Sequence, residues 1–158
     1  MQNLIDQLKI EKEVVLEFFF YFSRFEYALK RENFIPKRDG KASADWDSFF
    51  SKQKAHIDRL CLKHKSAKHI LENLPKKQMI KNGSLVWVNR SNGDEPDYVR
   101  LNNGIRDIRN NLFHGGKFPY ESIEEPSRNK MLITSATEIL KELGISLLSQ
   151  HFKIEEFG

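Results

Sequence analysis

Apolar positions along the chain recur at helical spacing in four stretches and alternate in one. The first helical stretch runs from about Asn3 to Asn33, with Val15, Phe18, Phe19, Phe22, Phe25 and Leu29 three or four residues apart. Within it, Phe18-Phe19-Phe20-Tyr21-Phe22 spreads apolar surface around the whole circumference, so this helix should be covered on more than one side. After the breaker Ile35-Pro36-Lys37-Arg38-Asp39-Gly40, a second helical region opens at Asp45-Trp46-Asp47. It continues as one stripe through Ile57, Leu60, Cys61, His64, Ala67, Leu71 and Leu74 to Pro75. Gln78-Met79-Ile80 and Leu85-Val86-Trp87-Val88 flank Asn82-Gly83, which predicts a β-hairpin. A third helix follows the polar loop 91–96 and carries Tyr98, Leu101, Ile105, Ile108 and Leu112, with Gly115-Gly116 ending it. The fourth begins near Pro126 and carries Leu132, Ala136, Ile139, Leu140, Leu143 and Leu147.

Four amphipathic helices and one hairpin predict an all-α architecture, a four-helix up-and-down bundle with a small β-hairpin inserted between helices two and three. A chain of 158 residues suits one domain with a real core, so residues 1–158 are expected to form a single domain. Its 39% hydrophobic and 30% charged residues describe a folded protein rather than a disordered one. The longest apolar run, Val14 to Phe22, is interrupted by Glu17 and falls far short of the ~20 residues of a membrane span. The N-terminus lacks the basic start and cleavage site of a signal peptide, so a cytoplasmic setting without a membrane partner is expected.

Charge changes the picture through its distribution. The net +4 conceals a segment, residues 35–81, with twelve Lys/Arg against five Asp/Glu, for +7. Residues 82–125 stand at −2. The basic segment suggests a polyanion-binding face, or simply a solvated lysine-rich surface.

Candidate chemistry narrows quickly. The single cysteine, Cys61, excludes an internal disulfide framework and a Cys-based zinc site, and it sits on an apolar helix face. His56, His64, His69, His114 and His151 form no His-x3-His pair, so no metal and no cofactor are expected. What remains is Arg106-Asp107-Ile108-Arg109-Asn110-Asn111-Leu112-Phe113-His114-Gly115-Gly116-Lys117. A histidine moves a proton near neutral pH and a guanidinium stabilises charge on phosphoryl oxygens, so Arg109 and His114 could together process a phosphodiester. On RNA the ribose 2′-OH supplies the nucleophile. Alternatively, His114 meets the helix C-terminal dipole while Gly115 caps the helix. Arg59 and His64 repeat the spacing, but His64 falls mid-helix on the apolar stripe and reads as a packed histidine.

Arg109-Asn110-Asn111-Leu112-Phe113-His114 resembles the Arg-polar-x3-His form of the Arg-x4-6-His motif of the HEPN superfamily. Phe22-Ser23-Arg24-Phe25-Glu26-Tyr27-Ala28-Leu29-Lys30, Asp45-Trp46-Asp47 and Pro75-Lys76-Lys77-Gln78 are similar to stretches of bacterial HEPN-like proteins. The likeness spans about residues 20–118. It implies a metal-independent endoribonuclease that works as a homodimer in a toxin–antitoxin or antiphage setting, leaving a 2′,3′-cyclic phosphate on RNA. It also implies that Arg109 and His114 are the catalytic pair, that Asn110 is the polar residue after the arginine, and that a minimal nucleotidyltransferase is one candidate antitoxin. A non-catalytic HEPN-like module binding nucleotide, RNA or a partner is the alternative.

Arg109 and His114 stand five residues apart, about 140° around an ideal helix, so one helix does not present both cleanly. A two-fold dimer would relieve this by giving one cleft two arginines and two histidines. Glu26 is a second anomaly, a carboxylate near the centre of the first helix's apolar stripe. It is expected to orient Arg109 or Arg106 in a supporting role, or else to pair with Lys30 at i+4.

Overall fold

The computed structural model describes residues 9–90, 94–113 and 126–153. Its element order is α1 (Lys12–Arg31), α2 (Trp46–Lys52), α3 (Lys54–Lys63), α4 (Lys65–Glu72), β1 (Lys77–Lys81), β2 (Ser84–Val88), α5 (Asp97–Phe113), α6 (Pro126–Leu147) and α7 (Ser149–Phe152). The fold is mostly helical with one small antiparallel sheet. Among the described residues no helix is long and apolar enough to cross a membrane.

Helix α1 begins at Lys12, after Lys9 takes a positive φ of 50°. The expected start near Asn3 lies outside the described residues. Phe18, Phe22, Phe25 and Leu29 of α1 enter the core against α6 and α7. Leu16, Phe19, Phe20 and Tyr27 remain exposed, so the aromatic run is covered on one side and open on the other.

The second helical region is three helices rather than one. The chain breaks at Gln53 (φ −96°, ψ 15°) and again at His64 (φ −87°, ψ 123°). The reason lies in what the region packs against, because α2, α3 and α4 all contact α5. A straight rod could not keep three successive stretches of the chain against one neighbouring helix. At the second break the His64 side chain becomes an N-cap, its Nδ1 accepting from Ser66 N at 3.2 Å. His64 therefore terminates a helix instead of sitting mid-helix on an apolar stripe. At the start of α2, Asp45 accepts from Ser48 N at 3.0 Å and from Ser48 Oγ at 2.7 Å.

The hairpin forms where the pattern places it. Lys77 pairs with Val88 and Lys81 with Ser84. Asn82 (φ 50°) and Gly83 (φ 73°) both turn left-handed, as a two-residue type I′ loop requires.

Candidate functional site

Helix α5 is buried on two sides at once. Leu101, Ile105, Ile108 and Leu112 enter the core, while Asn102, Asp107 and Asn111 are buried polar positions. Buried polar groups need partners, and each of these finds one in a different segment. Asn102 donates its Nδ2 to Asp47 Oδ1 at 2.7 Å, and Asn111 donates to the Lys76 carbonyl at 2.8 Å. Asp107 forms an ion pair with Arg90. The first contact ties α5 to α2, and the other two tie it to the base of the hairpin.

The remaining edge of α5 carries Arg106, Arg109, Asn110 and Phe113 at i, i+3, i+4 and i+7, so these four share one face. Arg106 donates from Nη1 to Asp47 Oδ1 at 3.1 Å, so one carboxylate holds both Asn102 and Arg106. The Arg109 guanidinium lies 5.7 Å from the ring centres of both Phe22 and Phe113. It also donates from Nη1 to Asn110 Oδ1 at 3.1 Å. Each cation–π contact is worth about 0.5–1 kcal/mol at a half-exposed position, enough to bias the side chain toward one place.

That seat continues inward. Phe113 packs against Phe19 at 5.2 Å, and Phe22 stacks on Trp46 at 5.0 Å. The Trp46 indole in turn donates to Glu26 Oε1 at 3.0 Å. Among the described residues this indole, and neither arginine nor Lys30, is the partner of Glu26. Glu26, expected to orient Arg109 or Arg106, is linked to Arg109 through two aromatic rings, Trp46 and Phe22. The cause is local: α2 begins at Trp46 and lies against the Glu26 side of α1, while Asp47, one residue on, has already engaged Arg106.

The structure thus brings together Arg109 and Asn110, with Arg106 one turn before them and Glu26 behind the aromatic seat. His114, which directly follows Phe113, lies outside the described residues, as do Gly115 and Gly116. Sequence reasoning did not identify Phe113 and Phe22 as the seat of Arg109, nor Asp47 as the partner of Arg106. Phe113 was accessible to it as the i+4 neighbour of Arg109. Phe22 and Asp47 come from distant segments and left no local signal.

The single cysteine, Cys61, is buried. Burial, reinforced by Asp97 and Asp58, pushes the Cys61 thiol up to about 12, so it stays protonated and unreactive near neutral pH. Among the described residues no group of three or more His, Cys, Asp or Glu side chains is placed to hold a metal ion.

The basic segment, residues 35–81, keeps part of its positive charge on the surface. Of its five acids, Asp45 caps α2, Asp47 serves α5 and Asp58 pairs with Lys54. Arg59, Lys63, Lys65 and Lys68 stay exposed on α3 and α4. In comparisons with known proteins, no family model, curated protein or solved structure matches the chain.

Proposed function

We propose that the chain is a four-helix HEPN-like bundle acting as a metal-independent endoribonuclease. The observation that carries this reading is Arg109 seated on Phe22 and Phe113 beside Asn110, at the end of α5 that leads directly into His114. A guanidinium held in place loses less freedom when it meets a phosphate, and a held donor is what stabilises charge as it develops. The exposed cations of α3 and α4 support an anionic substrate.

In the proposed mechanism the ribose 2′-oxygen attacks the adjacent phosphorus while His114 accepts the 2′-OH proton. Arg109 stabilises the extra negative charge on the phosphoryl oxygens, and Asn110 positions its guanidinium. The bond from phosphorus to the 5′-oxygen breaks, and that oxygen takes up a proton. The products are a 2′,3′-cyclic phosphate and a 5′-hydroxyl. A homodimer would set the Arg109 and His114 of two copies along one cleft. A toxin–antitoxin or antiphage pairing, with an antitoxin such as a minimal nucleotidyltransferase, is the setting this activity suits.

The test is cleavage of RNA in EDTA by the parent protein, His114→Ala and Arg109→Ala. Loss of at least a hundredfold in rate for either variant, with cyclic-phosphate ends from the parent, is expected. Cleavage that persists in His114→Ala, or that requires added metal, overturns the mechanism. RNA binding without cleavage by the parent would put a non-catalytic module in its place.

A further inference from the structure

Helix α1 carries a second apolar face that the fold leaves open. Leu16 is 57% exposed, Phe19 51%, Phe20 47% and Tyr27 44%, while Phe18, Phe22, Phe25 and Leu29 fill the core on the other side. At about 100° per residue, Leu16, Phe20, Ser23 and Tyr27 fall within about 60° of one another, with Phe19 at one edge. Phe113 of α5, itself exposed, extends that edge, its ring centre 5.2 Å from that of Phe19. At about half exposure each, the five large side chains offer roughly 400–500 Å² of apolar surface, toward the top of the range for the largest patch on an ordinary monomer. A standard interface takes about 800 Å² from each partner, so this patch has the size of the apolar centre of one.

The order of residues on this face says what covers it. The middle of α1 falls between Tyr21 and Phe22, and Leu16 and Tyr27 lie equally far from it on either side, as do Phe20 and Ser23. Laid antiparallel against a second copy about that midpoint, the helix sets Leu16 opposite Tyr27 and the large Phe20 opposite the small Ser23. Ser23 can be covered without orphaning a donor, because its hydroxyl already donates to the Phe20 carbonyl at 2.9 Å. Charge agrees along one edge. Glu13 and Arg31 lie a whole number of turns apart, hence on the same edge, and the antiparallel pairing sets the acid of one copy against the base of the other. The other edge brings Lys12 toward Lys30, both exposed and with stems long enough to keep their charge in water. A face that matches itself in this way, residue i on j and j on i, is what a two-fold interface requires and a foreign partner does not.

We infer that the outer face of α1 is a homodimer interface, two copies of the helix lying antiparallel across a two-fold axis near Tyr21 and Phe22. It covers the side of the aromatic run that the single chain leaves exposed. A two-fold axis of this kind returns each edge of the face to the same side of the dimer. Arg109 sits beyond the Phe19 edge, 5.7 Å from the ring centres of Phe22 and Phe113, level with the middle of α1. The Arg109 side chains of both copies therefore come to lie along one side of the dimer, near the axis. The interface rests on the exposure, shape and charge of α1. That the paired arginines serve one RNA strand rests on the proposed nuclease reading.

Sedimentation velocity of the full chain across the micromolar range reads the oligomeric state. A dimer is expected, and Phe20→Glu and Ser23→Arg should each weaken it at least a hundredfold, because each buries a charge without a partner. Leu62→Glu, on the exposed face of α3, should leave the dimer unchanged. Ser23 is exposed in the single chain, so Ser23→Arg should fold as the parent does, which circular dichroism checks. Cysteines read the orientation. Leu16→Cys/Tyr27→Cys should link two copies on oxidation with copper phenanthroline, whereas Leu16→Cys alone should not, since its two thiols stand about 16 Å apart along antiparallel helices. A monomer at every concentration overturns the interface, including one that binds phosphatidylserine vesicles through Phe20. A dimer indifferent to both substitutions also overturns it, and cross-linking by Leu16→Cys alone overturns the antiparallel arrangement. A dimer broken by Ser23→Arg that never cleaves RNA would refute the nuclease and keep the interface. A monomer that cleaves RNA would do the reverse.

Discussion

The chain has two tryptophans, and they sit in opposite kinds of apolar surroundings. Trp46 is enclosed by Phe22 and Phe25, each at 5.0 Å, with Phe50 at 6.2 Å and its indole N–H satisfied by Glu26. Trp87 is half-buried on a hairpin whose neighbouring Ile80, Leu85 and Met79 face solvent. Similar side chains therefore serve different ends. Around Trp46 they are covered on every side by other elements and contribute cohesion. On the hairpin Ile80, Leu85 and Met79 stay exposed, so the same hydropathy is left facing solvent. Apolar pattern marks what could be buried, whereas topology decides whether burial happens.

Substitutions should separate the two regions sharply. The largest stability effect is expected from Phe25→Ala, a fully buried ring against Trp46, Phe49 and Phe152, which should cost about 3–5 kcal/mol in urea unfolding. Ile80→Ser/Leu85→Ser should stay within about 0.5 kcal/mol of the parent in the same assay. Comparable losses in both would erase the distinction between a covered and an open cluster.

A smaller effect tests the Trp46 anchor. Glu26→Leu removes the acceptor of a buried indole N–H and should cost about 1–3 kcal/mol, while Glu26→Gln retains an acceptor oxygen and should cost far less. Equal costs for the two would show that charge, rather than the hydrogen bond, gives Glu26 its role.

A loss of lesser size concerns the cap that starts the Trp46 helix. Hydrogen bonds from the side chain and backbone of Ser48 hold the Asp45 carboxyl below its ordinary 3.8. A carboxyl depressed on folding stabilises the fold above its unfolded value, and that contribution is lost as pH falls through the folded one. Asp45→Ala should therefore cost about 1 kcal/mol at neutral pH. Measured by denaturant unfolding across pH, the deficit should shrink below about pH 4. A deficit independent of pH would mean the carboxylate's charge does not matter to the cap.

Legibility followed distance along the chain. The hairpin was readable because Asn82-Gly83 carries its turn preference within two residues. The core stripe of α5 was equally readable from Leu101, Ile105, Ile108 and Leu112. The breaks at Gln53 and His64 were not, since neither residue is a strong helix breaker and the bends answer to α5, a helix much later in the chain. At the candidate site, Arg109 and Asn110 stood out in the sequence as adjacent polar residues near a helix end. The aromatic seat under Arg109 did not, because Phe22 is 87 residues away and one of many phenylalanines in the first helix.

By itself, then, the sequence determined the helical class, the hairpin and its turn, and the basic character of residues 35–81, because these depend on local backbone preference, spacing and composition. Tertiary structure alone decided that Glu26 meets Trp46, that Asp47 holds Arg106, that Phe19 and Phe20 face outward, and that Asp107 and Asn111 anchor the base of the hairpin. Each of these is a choice among chemically equivalent partners. Only packing, which brings distant segments within hydrogen-bonding or van der Waals reach, selects among them.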